Sequence, residues 1–203
     1  MTPAEIQESK RLLRQQVRAR LQSIDPARRV TESAGACARL RGEGIWAGAR
    51  SVLFYAPVPG EIDVWPLVEA GLGEGKKVAL PRFEVSIQQY IACRVRDLAS
   101  DIIAGRYGIR EPAEHCEILE PGAIDLVLVP GVGFDLGGRR LGRGRGFYDR
   151  LLAQVRGVTC GVGFEEQLLE AVPVEEHDAG VGWVVTPRRM VRCGGGGRDE
   201  RDE

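Results

Sequence analysis

An α/β fold, with one mostly parallel sheet between helical layers, is what three observations of the sequence predict. Short apolar runs rich in β-branched residues recur along the chain. These runs are continuous rather than alternating, as strands buried on both faces are. Stretches with helical spacing or glycine punctuation separate them, which implies crossover connections and parallel pairing.

The elements follow in order. Thr2, Pro3 and Glu5 form a helix start, with Thr2 as cap, Pro3 at the first helical position and Glu5 completing a capping box. Ile6, Leu13, Val17 and Leu21 then recur at helical spacing as an apolar seam. Asp25 and Pro26 start a second helix with Val30, Cys37 and Leu40 inward, and residues 42–48 end it. Strands are predicted over 51–56 (SVLFYA), 77–80 (KVAL), 124–129 (IDLVLV), 159–164 (TCGVGF) and 183–186 (WVVT). Residues 87–95 alternate more like an edge strand, and 64–72 and 147–155 have helical spacing. No repeat or linker divides the chain, so residues 1–193 read as one domain. The last ten residues, GGGGRDERDE, read as a disordered charged tail.

Composition narrows the function classes. A net charge of −1 gives no support to a general affinity for nucleic acid or for a membrane surface. Only three of the 28 basic residues are lysines, Lys10, Lys76 and Lys77. The five cysteines are widely spaced with no C-x-x-C pair, which argues against a disulfide framework or a zinc site and fits a reducing cytoplasm. The N-terminus is charged from Glu5 onward, unlike a signal peptide, and no apolar run is long enough for a membrane span.

The chemistry concentrates in PGVGFDLGGRRLGRGRGFYDRLL, residues 130–152, with seven glycines and five arginines. Glycines permit φ > 0 and close approach of the backbone, and arginines neutralise phosphate. The stretch follows the run IDLVLV, and ligands of open α/β sheets bind beyond the carboxyl ends of strands. Arg140, Arg143 and Arg145, with free N–H groups at the start of the helix from Phe147, make an anion site. The spacing is neither a dinucleotide fingerprint nor a P-loop, and the stretch also reads as a flexible surface loop. Asp149 just beyond it could hold a cation.

Elsewhere, Lys10 and Arg14 share a helix face beside the apolar seam, pointing into a cleft or simply snorkelling to solvent. Glu61, past the first strand, could accept hydrogen bonds from a substrate ring or serve as a helix-entry carboxylate. Tyr107 could stack on a flat ligand or merely pack. His115 and His177 are too isolated to form a metal pair, and Asp178 has no role by itself.

Taken together these stretches resemble the 5-formyltetrahydrofolate cyclo-ligase (5,10-methenyltetrahydrofolate synthetase) family. The resemblance runs from the helix with Lys10 and Arg14 through YAPVPGEID, LPRF, YGIREP and the glycine-arginine stretch to VPVEEHDAGVGWVVTP. It implies a three-layer α/β/α sandwich of the sugar-phosphate isomerase/CoA-transferase type. It also implies a monomeric cytoplasmic enzyme that uses ATP and Mg²⁺ to convert 5-formyltetrahydrofolate, with or without a polyglutamate tail, to 5,10-methenyltetrahydrofolate. Lys10, Arg14 and the loop Arg140, Leu141, Gly142, Arg143, Gly144, Arg145, Gly146, Phe147 and Tyr148 would hold ATP. Ala56, Glu61 and Tyr107 would line the folate side, with Arg143, Gly144, Arg145, Gly146 and Phe147 bordering both substrates. Arg143 and Arg145 would stabilise the transferring group, and Asp149 and Asp178 would be the metal positions.

The chain departs from the family pattern at three places. Phe147 replaces the first tyrosine of Tyr-Tyr-Asp, Arg145 stands where lysine or glycine is usual, and Gly182 replaces an acidic residue. Two other functions compete. A small-molecule kinase or ligase could use the same ATP loop on another substrate. An arginine-glycine RNA-binding module is the other, but aligned from Arg143 the octamer pattern fails at Arg145, Tyr148 and Arg150.

Overall fold

The computed structural model describes residues 1–105 and 108–194. Helix α1 (Pro3–Gln22) begins with the expected capping box: Thr2 Oγ1 accepts the Glu5 N–H at 3.3 Å, and Glu5 accepts the Thr2 N–H at 2.7 Å. Helix α2 (Pro26–Arg41) is capped by Asp25, and a short α3 (Gly44–Gly48) leads into β1 (Ser51–Leu53). Then come α4 (Trp65–Gly73), the hairpin β2 (Lys77–Glu84) and β3 (Gln89–Val95), and α5 (Leu98–Asp101). A small pair, β4 (Ile102–Ala104) and β5 (Arg110–Pro112), precedes β6 (Ile118–Leu119) and β7 (Leu126–Pro130). The glycine-arginine stretch supplies β8 (Gly133–Asp135), β9 (Arg140–Leu141) and α6 (Phe147–Leu152). The chain continues with β10 (Val158–Val162), β11 (Leu168–Leu169), β12 (Trp183–Val185) and β13 (Met190–Arg192).

Eight strands form the main sheet in the order β13-β12-β10-β7-β1-β2-β3-β6. The five from β12 to β2 run parallel, and β13, β3 and β6 join antiparallel at the two sides. Successive side chains on a strand point to opposite faces, which divides the core in two. Val52, Val78, Leu80, Leu126, Leu128, Cys160, Val162 and Val185 pack with α2, α3 and α4 through Ala36, Leu40, Trp46, Leu67 and Val68. Leu53, Ala79, Val127, Val129 and Val184 pack on the other face with Leu151 and Leu152 of α6 and with Phe134 of β8. This second covering layer is one short helix plus the three-stranded sheet β11-β8-β9. Phe134 closes it by lying on bare backbone: a Cβ on Gly161 would come within 2.5 Å of its ring, and one on Gly131 within 2.7 Å.

The crossovers locate the site. From β1 the chain crosses through α4 to β2 on one side, and from β7 through α6 to β10 on the other. The connections therefore part between the neighbours β1 and β7, and ligands of such sheets bind beyond the carboxyl ends at that point.

Several sequence expectations shift. Val30 is 73% exposed rather than inward. The buried stripe of α2 is Ser33, Ala36, Cys37 and Leu40, set partly by small residues that bulky-apolar spacing does not register. The segment 42–48 contains α3 instead of only ending α2. Strand β1 stops at Leu53, although Phe54 and Tyr55 remain buried. The strand expected over 87–95 starts at Gln89, and the two-residue β6 takes the edge position. Helix α6 ends at Leu152, leaving Val155 beyond it, and the hairpin β8-β9 separates the loop from the strand that precedes it.

Candidate active site

A cavity of about 580 Å³ opens beyond the carboxyl ends of β1, β2 and β7. Three walls enclose it. Tyr55, Ala56, Val58 and Glu61, on the segment after β1, form one, and Pro81, Phe83 and Tyr90 of the β2-β3 hairpin form the second. The third is the segment Gly142 to Asp149 with Arg140, and Ile109 and Glu111 sit at the border. Phe83, Tyr90 and Phe147 meet edge to face with ring centroids 5.4–5.5 Å apart, and Tyr148 lies 6.2 Å from Tyr90. A flat ring entering here meets aromatic edges and faces.

Glycine shapes the loop above this wall. Gly144 has φ +96° and Gly146, the cap of α6, has φ +62°, a region that side chains with a Cβ rarely adopt. The loop is held from outside by α1, since Arg14 Nε donates to the Gly142 carbonyl at 2.8 Å. Burial, then the charge of Arg18, lowers the pKa of Arg14 below its ordinary value, so this cation is partly withdrawn from water. Leu141 is buried in β9 and acts as an anchor, while Arg143, Gly144 and Arg145 are exposed on the cavity side. Helix α6 has six residues, shorter than the expected 147–155, so its N-terminus offers an anion less than the arginines and the loop backbone do.

Glu61 is not a helix-entry carboxylate. Helix α4 starts four residues later with no side-chain cap, and Glu61 turns into the cavity instead. Its Oε1 accepts from Arg143 Nη2 at 2.6 Å and its Oε2 from the Val58 N–H at 3.1 Å. The two residues come from opposite walls, 82 positions apart.

Lys10 is likewise no solvated face residue. It is 4% exposed, and its ammonium lies between Glu175, at 2.9 Å, and Asp178. Asp178 also accepts the Glu175 N–H at 2.7 Å. Burial opposes ionisation of Asp178, but the Lys10 and Glu175 hydrogen bonds outweigh it and hold the carboxyl below its usual range. On the next residue along, the Ala179 N–H donates to Asp149 Oδ1 at 3.2 Å, and the same oxygen pairs with buried Arg140. Asp149 thus reaches the backbone beside Asp178, and each carboxylate already has a cation attached.

The donor set suits a hard divalent cation. Asp149 uses Oδ1 and Asp178 uses Oδ2 for these contacts, so each keeps one carboxylate oxygen without a hydrogen bond among the described residues. Mg²⁺ takes few carboxylates and completes its shell with phosphate oxygens and water, so either oxygen is of the chemical kind it accepts. Glu175, His177 and Asp178 also bring potential ligand atoms within 4.8 Å of one another.

Sequence reasoning overlooked Phe83, Tyr90, Glu111 and Glu175. Phe83 and Tyr90 face each other across the β2-β3 ladder, so an aromatic pair flanking a hairpin turn was the available signal. Glu175 lay in the quoted VPVEEHD phrase but had no sequence neighbour to suggest that it meets Lys10. Tyr107 lies outside the described residues, as do residues 195–203 of the expected tail.

Comparison with known proteins supplies the context. The model of the 5-formyltetrahydrofolate cyclo-ligase family matches residues 6–187. The 5-formyltetrahydrofolate cyclo-ligase of Mus musculus is 28% identical over 88% of this chain and 93% of its own. That of Escherichia coli K12 is 30% identical over 86% and 98%. The structure of Aquifex aeolicus 5,10-methenyltetrahydrofolate synthetase superimposes with a TM-score of 0.82 at 33% identity, covering 96% of this chain and 95% of that one.

Proposed function

The chain belongs to the 5-formyltetrahydrofolate cyclo-ligase family, and on that premise we propose that it converts 5-formyltetrahydrofolate to 5,10-methenyltetrahydrofolate with consumption of ATP. One observation carries the reading. A carboxylate from the end of β1 and a glycine-arginine loop after β9 face each other across one aromatic-walled cavity, in contact at 2.6 Å. We read the pair as a ring-binding group beside a phosphate-binding group, so that two substrates would meet in one cavity.

The chemistry explains the need for ATP. An N-formyl amide is a weak electrophile whose oxygen is a poor leaving group. Transfer of the γ-phosphoryl group to the formyl oxygen releases ADP and makes an imidate-like phosphate. The N10 amine attacks the formyl carbon, its proton is lost, and phosphate departs as the five-membered ring closes.

The protein supplies position and charge. Phe83, Tyr90 and Phe147 offer the ring system one aromatic wall, and Glu61 accepts hydrogen bonds from its N–H groups. Arg143 and Arg145 stabilise the negative charge on the transferring group. The loop from Arg140 to Tyr148, with Lys10 and Arg14 behind it, takes the nucleotide phosphates. Asp149 and Asp178 would hold Mg²⁺, which when bound screens the phosphate charges. The loss of a hydroxyl at Phe147 is compatible with this division of labour, because the ring acts through its edges. Nothing in the packing demands glycine at position 182, where a Cβ would meet only Thr159 at 3.6 Å.

A monomer in the cytoplasm, acting on folates with or without a polyglutamate tail, completes the proposal. Five buried free thiols support a reducing compartment. Among the described residues no helix is long and apolar enough to cross a membrane. The test is to mix purified protein with MgATP and 5-formyltetrahydrofolate and follow the near-ultraviolet absorbance of methenyltetrahydrofolate. No absorbance gain with folded protein and intact substrate would refute the activity.

A further inference from the structure

Glu61 and Arg143 hold each other across the mouth of the cavity, although the reading above assigns them to different substrates. Glu61 is enclosed, with 9% of its side chain exposed, and both of its oxygens are engaged, by Arg143 and by the Val58 N–H. Arg143 is the opposite: its side chain is 55% exposed, and Glu61 is its one hydrogen-bond partner among the described residues. It stands between Gly142 and Gly144, in a loop tethered on its far side by Arg14. The guanidinium is free to turn while the carboxylate is fixed.

We propose that this ion pair is a latch that makes the two substrates bind cooperatively. The phosphate chain of the nucleotide draws Arg143 off Glu61, and the carboxylate so released accepts the N–H donors of the folate ring. The inference rests on the assignment of Glu61 to folate and of Arg143 to phosphate. In the unliganded protein the acceptor that folate needs is already satisfied, so a ring N–H must displace a charge-assisted bond to reach it. A triphosphate offers Arg143 replacement acceptors of higher charge. Glu61 then retains only the Val58 N–H, and an enclosed carboxylate lacking a partner on one oxygen favours an incoming donor. The coupling is reciprocal by thermodynamic linkage, so folate raises nucleotide affinity by the same factor.

The experiment measures 5-formyltetrahydrofolate binding at equilibrium to the full chain, with and without a non-hydrolysable ATP analogue and Mg²⁺. In the wild type the analogue tightens folate binding on the order of tenfold, within the usual range for such couplings. In Arg143→Ala, folate binds without nucleotide as tightly as the wild type does with it, and the analogue adds nothing. Weaker folate binding by Arg143→Ala than by the wild type in the absence of nucleotide overturns the latch. So does a wild-type affinity that ignores the analogue. Glu61→Gln separates the two levels of the argument. Its folate affinity falls in both conditions if Glu61 is a folate ligand, and an unchanged affinity removes that assignment and the latch with it.

Discussion

At Asp149 two demands fall on one side chain. Its Oδ1 neutralises Arg140, whose side chain is 4% exposed, while the proposed role for its other oxygen is to hold a cation. Asp149→Ala therefore loses more than turnover. It leaves a buried guanidinium without its carboxylate, at a cost of about 3 kcal/mol, whereas Asp149→Asn keeps an acceptor in place. We expect both variants to lose at least about two decades in kcat, and the alanine variant to unfold at clearly lower urea than the asparagine variant. An alanine variant with the wild-type urea midpoint would show that Arg140 does not depend on this carboxylate. Lys10 is argued the same way. Lys10→Met sets Glu175 and Asp178 against each other without their shared ammonium, and a loss of about 3 kcal/mol in urea denaturation is expected. A midpoint unchanged from the wild type would return Lys10 to the solvated role that its sequence alone also allowed. The sequence carried the identity of these residues but not their pairing. Lys10 and Asp178 are 168 positions apart, and helical spacing says only which face a residue shares with its neighbours.

Among the elements, the long ones were legible and the short ones were not. Helix α1 announced itself by a capping box, and the central strands by continuous apolar runs, because those signals are local. Strands β8, β9 and β11, of two or three residues each, are too short to display a period. They exist because Phe134 needs a cover, and that cover depends on glycines whose purpose becomes visible only in three dimensions. Gly161→Ala tests this directly. Its methyl group would enter within 2.5 Å of the Phe134 ring, and overpacking of this kind costs about 1–3 kcal/mol. A melting temperature lowered by roughly 3–10 °C is expected for a chain of this size. An unshifted melting curve would mean that the small sheet yields without cost. The loop glycines make a different demand. Gly146 adopts φ +62°, so Gly146→Ala should cost about 1 kcal/mol in stability and raise the KM for ATP as the loop is displaced.

For the whole molecule, the cysteine count anticipated a chain without disulfides, and all five thiols are free and buried. Burial pushes Cys37 up to about 12 and Cys93 to about 11, and raises Cys116, Cys160 and Cys193 as well. A thiol reagent at pH 8 should therefore leave the native protein almost untouched and titrate five groups after denaturation. Rapid labelling of the native protein would contradict the burial. Acid has the opposite leverage. Asp101, Asp125 and Asp178 are each held below their usual range, Asp101 mainly by the Arg96 and Asp97 N–H groups, and Asp125 and Asp178 by hydrogen bonds that overcome burial. A depressed folded pKa stabilises above the unfolded value of about 3.9 and loses that contribution as pH falls toward the folded value. Stability from this source should be flat from neutral pH down to about 5 and decline below about 4, read from denaturation midpoints across that range. A decline beginning near pH 6 would point to other groups.

The tether from α1 to the site also bears on how the protein comes into being. Lys10 and Arg14, both on α1, find their partners 128 to 168 residues later, at Gly142, Glu175 and Asp178. A helix with a complete local cap can form early, but these contacts must wait until the segment from Gly142 to Asp178 has been made. The side of the pocket that α1 tethers therefore waits for those segments. Assembly of the site is thus completed by a long-range docking, of α1 against the segments that follow β9 and β11.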